Sequence, residues 1–367
     1  MRVVMISHAC TVAAYRRKLE EMAAQPDVQL TLIVPPSWKL GPTRLPLEPG
    51  YTRGYDILVE RPRWNGRHHL HFYPSLRQVL ARLRPDILHV DEEPYDLVAW
   101  HSLRTARRLG IPALFFTWQN LYRHFPPPFA LFERYALDRA AAAIAGNHEA
   151  QEILRRKGFA RPVFLIPQFG VDTDVFRRAT PRQPFGGRLR IGFAGRLVEE
   201  KGLVVLLQAL PDLEGDWSLE LLGDGPMRPQ LASLASRLGV ARRVFFRGNA
   251  PSAAMPEHLS PLDVLVLPSL TTRRWKEQFG RVLTEAMACE VAVVGSDSGE
   301  IPNVIGGAGI VVPEGSPDAL RAALQRFLDD PKLAGELGRA GCQRVKENYT
   351  QALVAQRTID AYHHVLP

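Results

Sequence analysis

The stretch LRIGFAGRLVEEKGLVVLLQA, residues 189–209, carries the reading of the fold. Leu189–Ala194 is a short, mostly apolar run of strand length. A Gly-Arg step follows at 195–196, then the charged VEEKG, then an apolar-rich helical run over Leu203–Ala209. Strand, loop and helix in that order make one βα unit, and units of this kind stack into a parallel sheet covered by helices. The alternation continues downstream. Strands are predicted at Trp217–Leu222, Val244–Arg247, Asp263–Leu267, Val291–Gly295 and Gly309–Val312, with helices at Met227–Leu238, Gly280–Ala288, Pro317–Leu328 and Lys332–Asn348.

The same rhythm runs upstream. Strands are predicted at Arg2–Ser7, Val28–Val34, Asp86–Val90, Ala113–Thr117, Ala141–Ala145 and Val163–Ile166, and helices at Thr11–Ala24, Pro94–Leu109, Pro127–Leu137 and His148–Lys157. Residues 35–75 break it. Their PPSWKLGPTRLPLEPG is too Pro-rich for a buried element and reads as an insertion with an antiparallel excursion. FRRATPRQPFGG, residues 176–187, reads as an interdomain linker. With 367 residues, the chain is too long for a single core. The expectation is two doubly wound α/β domains, 1–180 and 181–349, with a last helix over 350–367 packing back on the first. Ligands of such sheets bind beyond the carboxyl ends of the strands, and the crevice between two halves is the natural place for one.

Composition narrows the function. At 46% hydrophobic and 23% charged residues, the chain is neither disordered nor fibrous. Its net charge of +8 suits anionic partners. Only seven of the 46 basic residues are Lys; Arg favours phosphate and carboxylate, although a GC-rich genome explains that bias better. Three cysteines, Cys10, Cys289 and Cys342, form no C-x-x-C pair and point to a reducing compartment. No stretch reaches the ~18–20 apolar residues of a membrane span, and the N-terminus lacks a long apolar h-region. A cytoplasmic protein, free or peripheral on the inner face of the membrane, is expected.

Two constellations carry chemistry. In KEQFGRVLTEAMA (276–288), Glu277 and Glu285 flank a Phe-Gly step that opens a helix. Gly280 lets backbone amides approach a ligand, and a helix N-terminus favours anions. Glu285 is placed to accept hydrogen bonds from vicinal hydroxyls; a solvated pair of glutamates on an amphipathic helix fits the spacing equally. In RIGFAGRLVEEKG (190–202), Arg196 and Lys201 follow a strand end, as in a diphosphate clamp, or as in any basic loop. Together, and in order within one βα domain, the two segments are far more specific than either alone.

On these residues the second half resembles the retaining, nucleotide-sugar-dependent glycosyltransferases of family 4 (glycosyl transferases group 1), with the two-domain GT-B fold. The resemblance is dense from 190 to about 315: FAGR…EKG, LLGDGP (221–226), FRG (246–248), DVLVLPS (263–269), the 277–289 segment and SGEIPNVI (298–305). In the first half, IPQFGVDTDVF (166–176) is similar to the family's loop before the linker. The resemblance implies that Arg196, beside Gly195, and Lys201 hold the donor diphosphate and Glu285 the ribose hydroxyls. Glu277 contacts the transferred sugar, and amides of Phe279, Gly280, Arg281, Val282 and Leu283 lie near the phosphates. The base sits by Arg247 and Gly248. The donor is a UDP-, GDP- or ADP-sugar, and no metal or other cofactor is required.

The first half departs from the family pattern. Where adjacent glycines are usual, SHACTVAAYRR has Ala13 and Ala14, which places methyl groups beside the expected donor phosphate. Where Thr-x-His is usual, FFTWQN places Trp118, Gln119 and Asn120 near the sugar; Gln119 cannot act as a base, but its amide binds hydroxyls. Glu290 replaces a preferred Gly after Cys289.

Asp91, Glu92 and Glu93 before Pro94 read first as an N-cap and second as acceptor ligands, with Trp118 and Asn120. Asp172-Thr173-Asp174 reads as a turn rather than a metal-binding D-x-D. His68, His69 and His71 read as an exposed basic strand, because no third and fourth zinc ligand is evident. GDG (223–225) lacks the third glycine of a dinucleotide fingerprint, so hydride transfer is disfavoured.

The resulting expectation is a retaining glycosyltransferase acting on a glycan, lipid-linked or small-molecule acceptor, with no nucleic-acid partner. The alternatives are an epimerase or phosphorylase of the same fold, or a catalytically silent sugar-nucleotide-binding subunit. Arg and His interleaved with aromatics in YTRGYDILVERPRWNGRHHLHF and NLYRHFPPPFALFERY suit a membrane headgroup layer or an anionic glycan, or else a buried core with a basic rim.

Overall fold

The computed structural model describes residues 1–41, 43–178 and 187–366. The expected boundary at 180/181 and most of the 176–187 linker lie outside the described residues. Contacts divide the chain into one unit of Met1–Gly170 plus the segment from Gln351 onward, and a second unit of Val171–Thr350.

The first unit carries β1 (Arg2–Ile6), β2 (Gln29–Val34), β3 (Ser37–Leu40), β4 (Thr43–Pro46), β5 (Asp56–Val59), β6 (Ile87–Val90), β7 (Ala113–Thr117), β8 (Ala142–Ala145) and β9 (Val163–Leu165). Its helices are α1 (Arg17–Ala23), α2 (Leu76–Leu83), α3 (Leu97–Arg108), α4 (Phe129–Arg139) and α5 (His148–Arg156). Seven strands form one sheet in the order β5-β2-β1-β6-β7-β8-β9, all parallel. β6, β7 and β8 are buried along their whole length, which is why they read as unbroken apolar runs. β3 and β4 form the separate antiparallel excursion, and β5 adds an edge strand that its half-exposed DILV did not announce.

The second unit carries β10 (Arg188–Ala194), β11 (Asp216–Leu222), β12 (Val244–Gly248), β13 (Val264–Leu267), β14 (Ala292–Ser296) and β15 (Ile310–Val312). Its helices are α6 (Leu203–Gln208), α7 (Arg228–Arg237), α8 (Met255–Leu259), α9 (Arg281–Ala288), α10 (Ile301–Ile305), α11 (Pro317–Asp329) and α12 (Leu333–Asn348). The parallel sheet runs β12-β11-β10-β13-β14-β15. Its core gathers Ile191, Phe193, Trp217, Leu219, Val264 and Leu265, with Leu206, Leu283 and Phe327 from the covering helices. The last helix, α13 (Gln351–Val365), returns to the first unit and packs on α1, and its Tyr362 hydroxyl is hydrogen-bonded to Nδ1 of buried His89 on β6 at 2.7 Å.

Both sheets reverse strand order at one point, between β1 and β6 and between β10 and β13. At such a point the connections leave in opposite directions and open a crevice beyond the strand ends. The residues that follow β1, β6, β10 and β13 are therefore the positions where a site is expected.

The helix expected over Thr11–Ala24 is not continuous. Two 3₁₀ turns, Ala9–Thr11 and Ala13–Arg16, precede α1. The cause is Arg16, almost wholly buried, whose guanidinium donates to the carbonyls of Cys10 (2.6 Å), Thr11, Glu48 and Gly50 (2.8 Å). Carbonyls turned toward a guanidinium are diverted from the i+4 amides of a regular helix.

Candidate functional site

In the second unit the site is built at the β10/β13 switch point. The chain leaves β10 through Gly195 at φ 153°. Gly223 and Gly225 explain themselves here: a Cβ on Gly223 would lie 1.9 Å from the Gly195 carbonyl oxygen, and one on Gly225 2.4 Å from that of Leu197. The GDG segment is thus the seat of the 195–197 loop. Leu197 N–H donates to the Asp224 carbonyl at 2.9 Å. Arg196 projects into solvent, 72% exposed, with Glu200 at 3.8 Å.

Lys201 behaves differently. Its Nζ donates to Glu277 Oε2 at 2.6 Å, and the ammonium lies 4.8 Å from the centre of the Trp275 ring. Ser269, the second residue after β13, donates its hydroxyl to the same Glu277 oxygen at 2.8 Å. The Glu277 backbone is held as tightly: its carbonyl accepts from Glu300 N–H at 3.1 Å, and a Cβ on Gly299 would come within 2.0 Å of it. Two side chains, 76 and 8 positions away along the chain, are thereby fixed on one carboxylate.

Gly280 heads α9 in the left-handed region at φ 77°, and Leu267 at the end of β13 leaves no ready room for a Cβ. Glycine is required on both counts. The N-terminus of α9 therefore opens at the same strand ends. Of the residues expected near the phosphates, Phe279 packs edge-on against Tyr349. Leu283 is wholly buried and its amide donates to the Gly280 carbonyl at 2.8 Å. Arg281, at the start of α9 with Val282, donates Nε to Glu285 Oε1 at 2.9 Å. Burial pushes the Glu285 carboxyl up, and the Arg281 guanidinium opposes that shift. Arg247, expected beside the base, forms a two-pronged pair with Glu220 at 2.9 and 3.2 Å. Gly248, at φ 76°, accepts from Gly223 N–H at 2.7 Å.

Glu290 takes φ 56°, a conformation that favours glycine. That accounts for a preference for Gly after Cys289. Here the Glu290 backbone is wedged against Gly338, whose Cβ would lie 2.2 Å from its carbonyl oxygen.

In the first unit the residues after β1, β6 and β7 converge. His8 Nδ1 lies 2.6 and 2.8 Å from the two oxygens of Glu92, and the His8 amide donates to Oε1 at 2.8 Å. Burial alone would lower the His8 imidazole, but the adjacent Glu92 outweighs it and the pKa is raised. Burial alone would raise Glu92; the adjacent His8 holds it below the usual carboxylate range. Asp91 accepts from the Ser7 hydroxyl at 2.7 Å. Glu93 accepts from the Thr117 hydroxyl (2.6 Å) and from Trp118 N–H (2.8 Å), and burial pushes it up to about 8.

The capping expected of Asp91, Glu92 and Glu93 is thus corrected. α3 starts at Leu97 with Asp96 as its cap residue, and the three acids point at the ends of β1 and β7 instead. The histidine strand is corrected too. Residues 64–71 form turns, because Arg63 pairs with Phe72 and closes a loop between them. His71 is buried and faces Glu92, with Nε2 3.8 Å from Oε1, while His69 Nδ1 lies 2.7 Å from Asp96. Asp172 takes the expected turn role, accepting from Asp174 N–H at 3.1 Å.

Trp118 Nε1 donates to Gln168 at 2.8 Å, and its ring fills the space that a Cβ on Gly146 would need. Gln119 is buried; its Oε1 accepts from Lys157 at 3.2 Å and its Nε2 donates to the Leu121 carbonyl at 3.3 Å. Asn120 is buried beside it. Ala13 N–H donates to the Glu48 carboxylate at 2.7 Å, with Ala14 next in the same 3₁₀ turn. The sequence reading did not single out His8, Ser269 or Trp275. His8 and Ser269 each sit two residues past a strand's carboxyl end, and that position was the available signal.

Two family models match this chain: the glycosyl transferase 4-like domain over residues 11–168 and the glycosyl transferases group 1 over residues 178–344. The chain belongs to the family 4, group 1 glycosyltransferases. Among group 1 glycosyltransferases it is similar to the GDP-mannose-dependent alpha-(1-6)-phosphatidylinositol monomannoside mannosyltransferase of Mycolicibacterium smegmatis. Identity is 35% over 59% of this chain and 56% of that protein. It is also similar to the alpha-maltose-1-phosphate synthase of the same organism, 32% identical over 64% of this chain and 65% of the relative. The matches thus span between half and two thirds of these curated relatives. In fold it is similar to the sucrose-phosphate synthase of Thermosynechococcus elongatus, with a TM-score of 0.72 at 20% identity, covering 100% of this chain and 99% of that one. The fold is GT-B, two Rossmann-like units.

Proposed function

We propose that the chain transfers a glycosyl group, with retention of configuration, from a nucleoside diphosphate sugar to a glycan, lipid-linked or small-molecule acceptor. The observation that carries this reading is the Lys201–Glu277–Ser269 cluster, set at the β10/β13 switch point beside the Gly280-headed start of α9. In this reading Lys201 and Arg196 draw the diphosphate, and the α9 amides and dipole add to their charge. Glu277 orients the sugar, and buried Glu285 accepts from the ribose hydroxyls. Rate enhancement then comes from positioning and from stabilising the departing diphosphate, and front-face attack needs no enzymic nucleophile.

The GDP-mannose dependence of the Mycolicibacterium smegmatis mannosyltransferase supports a nucleotide-sugar donor. Three free, buried thiols suit a reducing, cytoplasmic setting. The deciding experiment measures turnover of UDP-, GDP- and ADP-sugars by the purified chain, with anomeric configuration read by NMR. Turnover of one donor with a retained anomer is expected; no turnover of any overturns the reading.

One observation favours a silent binding subunit instead. The Ala13 amide is already capped by the Glu48 carboxylate, and the Gln119 amide is engaged with Lys157 and Leu121. Tight donor binding without hydrolysis or transfer is the outcome that this alternative requires.

A further inference from the structure

We propose that His8, His71 and Glu92 form a binding site for a divalent transition-metal ion of the zinc type in the first unit. The three residues come from distant segments: the residue pair after β1, the 64–72 loop, and the residues after β6. One ligand atom from each lies within 4.8 Å of the other two. His8 Nδ1 is 2.6 Å from Glu92 Oε2, and His71 Nε2 is 3.8 Å from Glu92 Oε1. Donor atoms bound tetrahedrally at ~2.0–2.2 Å to one ion lie roughly 3.3–3.6 Å apart, so an ion replaces the short His8–Glu92 hydrogen bond and needs shifts of under about 1 Å.

His71 is the residue that points to an ion. Its side chain is fully buried, and its Nδ1 lies 2.9 Å from the His68 carbonyl, which can only accept. The ring proton is therefore on Nδ1, and the Nε2 lone pair faces the Glu92 carboxylate. Among the described residues, His71 Nε2 has no hydrogen-bond donor. His71 Nε2 and the nearest Glu92 oxygen lie buried 3.8 Å apart with no proton donor between them, so a cation placed there would bind both. A carbonyl on Nδ1 is also the usual support that orients a metal-binding histidine.

The donor set selects the ion. Two imidazoles and a carboxylate suit Zn²⁺ or Co²⁺ better than Mg²⁺ or Ca²⁺, which prefer oxygen. Three protein ligands leave a fourth position for an exchangeable oxygen, as in sites that are not purely structural. His8, with 22% of its side chain exposed, supplies the way in. The site lies at the β1/β6 switch point, so an ion there would sit where a ligand of this sheet is expected. The sequence led to the expectation that no metal is required, and this proposed site in the first unit departs from it.

The test uses the tag-free, chelator-treated full-length chain and CoCl₂, followed by competition with ZnCl₂ in a non-chelating buffer. The expected result is one Co²⁺ per chain with visible ligand-field bands, displaced by one equivalent of Zn²⁺. His71→Gln and Glu92→Gln should each abolish the bands and weaken Zn²⁺ binding by more than the roughly 10- to 100-fold that a supporting residue commands. His101→Gln, a control at a half-buried histidine outside the cluster, should leave them intact. Substoichiometric Co²⁺ without bands overturns the proposal, as do bands that survive in both ligand variants. Should the ligand variants fail to fold, as judged by circular dichroism, the wild-type stoichiometry and bands still decide. No donor is present, so failure here leaves the glycosyltransferase reading untouched.

Discussion

The Lys201 ammonium and the Glu277 carboxylate hold one another at 2.6 Å, although the proposed reading gives each a different part of the donor. A diphosphate arriving at Lys201 must compete with Glu277 or share the cation with it. The pair is largely shielded from water, with side chains 16% and 9% exposed, so its charges interact strongly. Lys201→Met should weaken nucleoside diphosphate binding by ~10- to 100-fold, as loss of a charge-assisted contact of ~1.5–3 kcal/mol implies, and leave nucleoside binding nearly unchanged. Arg196→Ala, at an exposed position, should do the same to a smaller degree. Calorimetry with both ligands checks this, and equal losses for the two would reject the clamp.

Glu277→Gln separates the two roles of the carboxylate. With the negative charge gone and Lys201 released, nucleoside diphosphate should bind severalfold more tightly, while kcat falls because the sugar loses its orienting group. A loss of diphosphate affinity together with kcat would mean that Glu277 serves only to position Lys201.

Glu285→Gln should chiefly raise the donor KM. On the proposed reading its carboxylate would contact ribose in ground and transition states alike, so uniform binding is what would be lost. Arg281→Met should raise KM as well, by releasing the Nε–Oε1 bond at 2.9 Å that aims the carboxylate. Steady-state kinetics with the preferred donor decides; a fall in kcat at constant KM would reverse the roles of Glu277 and Glu285.

Arg16→Met should destabilise the first unit by about 3 kcal/mol. The guanidinium is buried and bonded to four backbone carbonyls that no aliphatic side chain can satisfy. Urea unfolding followed by tryptophan fluorescence measures this, and a loss below about 1 kcal/mol would show that water replaces the contact.

The basic and aromatic segments divide in the folded chain. Trp64 and Tyr122 are exposed, as are Arg61, Arg63, Arg67 and Arg123, while Tyr55, Phe72, Phe125, Phe129, Phe132 and Tyr135 are partly covered and His71 is buried. Leu40 and Leu45 on the β3–β4 ribbon are exposed too. No helix among the described residues is long and apolar enough to cross a membrane. Exposed basic and aromatic side chains suit an anionic headgroup layer. Salt-sensitive cosedimentation with anionic liposomes is expected, reduced by changing the four arginines to Ser. Wild-type protein remaining in the supernatant at low salt would make a soluble acceptor the default.

The motifs of the second half and the roles given to Glu277 and Glu285 came through the family resemblance; the βα alternation and Gly280 were legible directly, because parallel strands buried on both faces must be apolar and a helix N-terminus in the left-handed region must be glycine. Local periodicity and backbone sterics are enough for that. Neither rule reaches across distant segments. That Lys201 and Ser269 converge on Glu277, that Glu48 caps the Ala13 amide, and that His8, His71 and Glu92 meet at one strand end are consequences of strand order. The parallel pairing of β1 with β6 and of β10 with β13 brings together residues with no shared periodicity. Arg16 shows the reverse effect: a helical pattern from Thr11 onward yields to a buried guanidinium that takes its carbonyls. Pairing across the sheet, and the demand that buried charge find partners, decided what the sequence pattern alone left open.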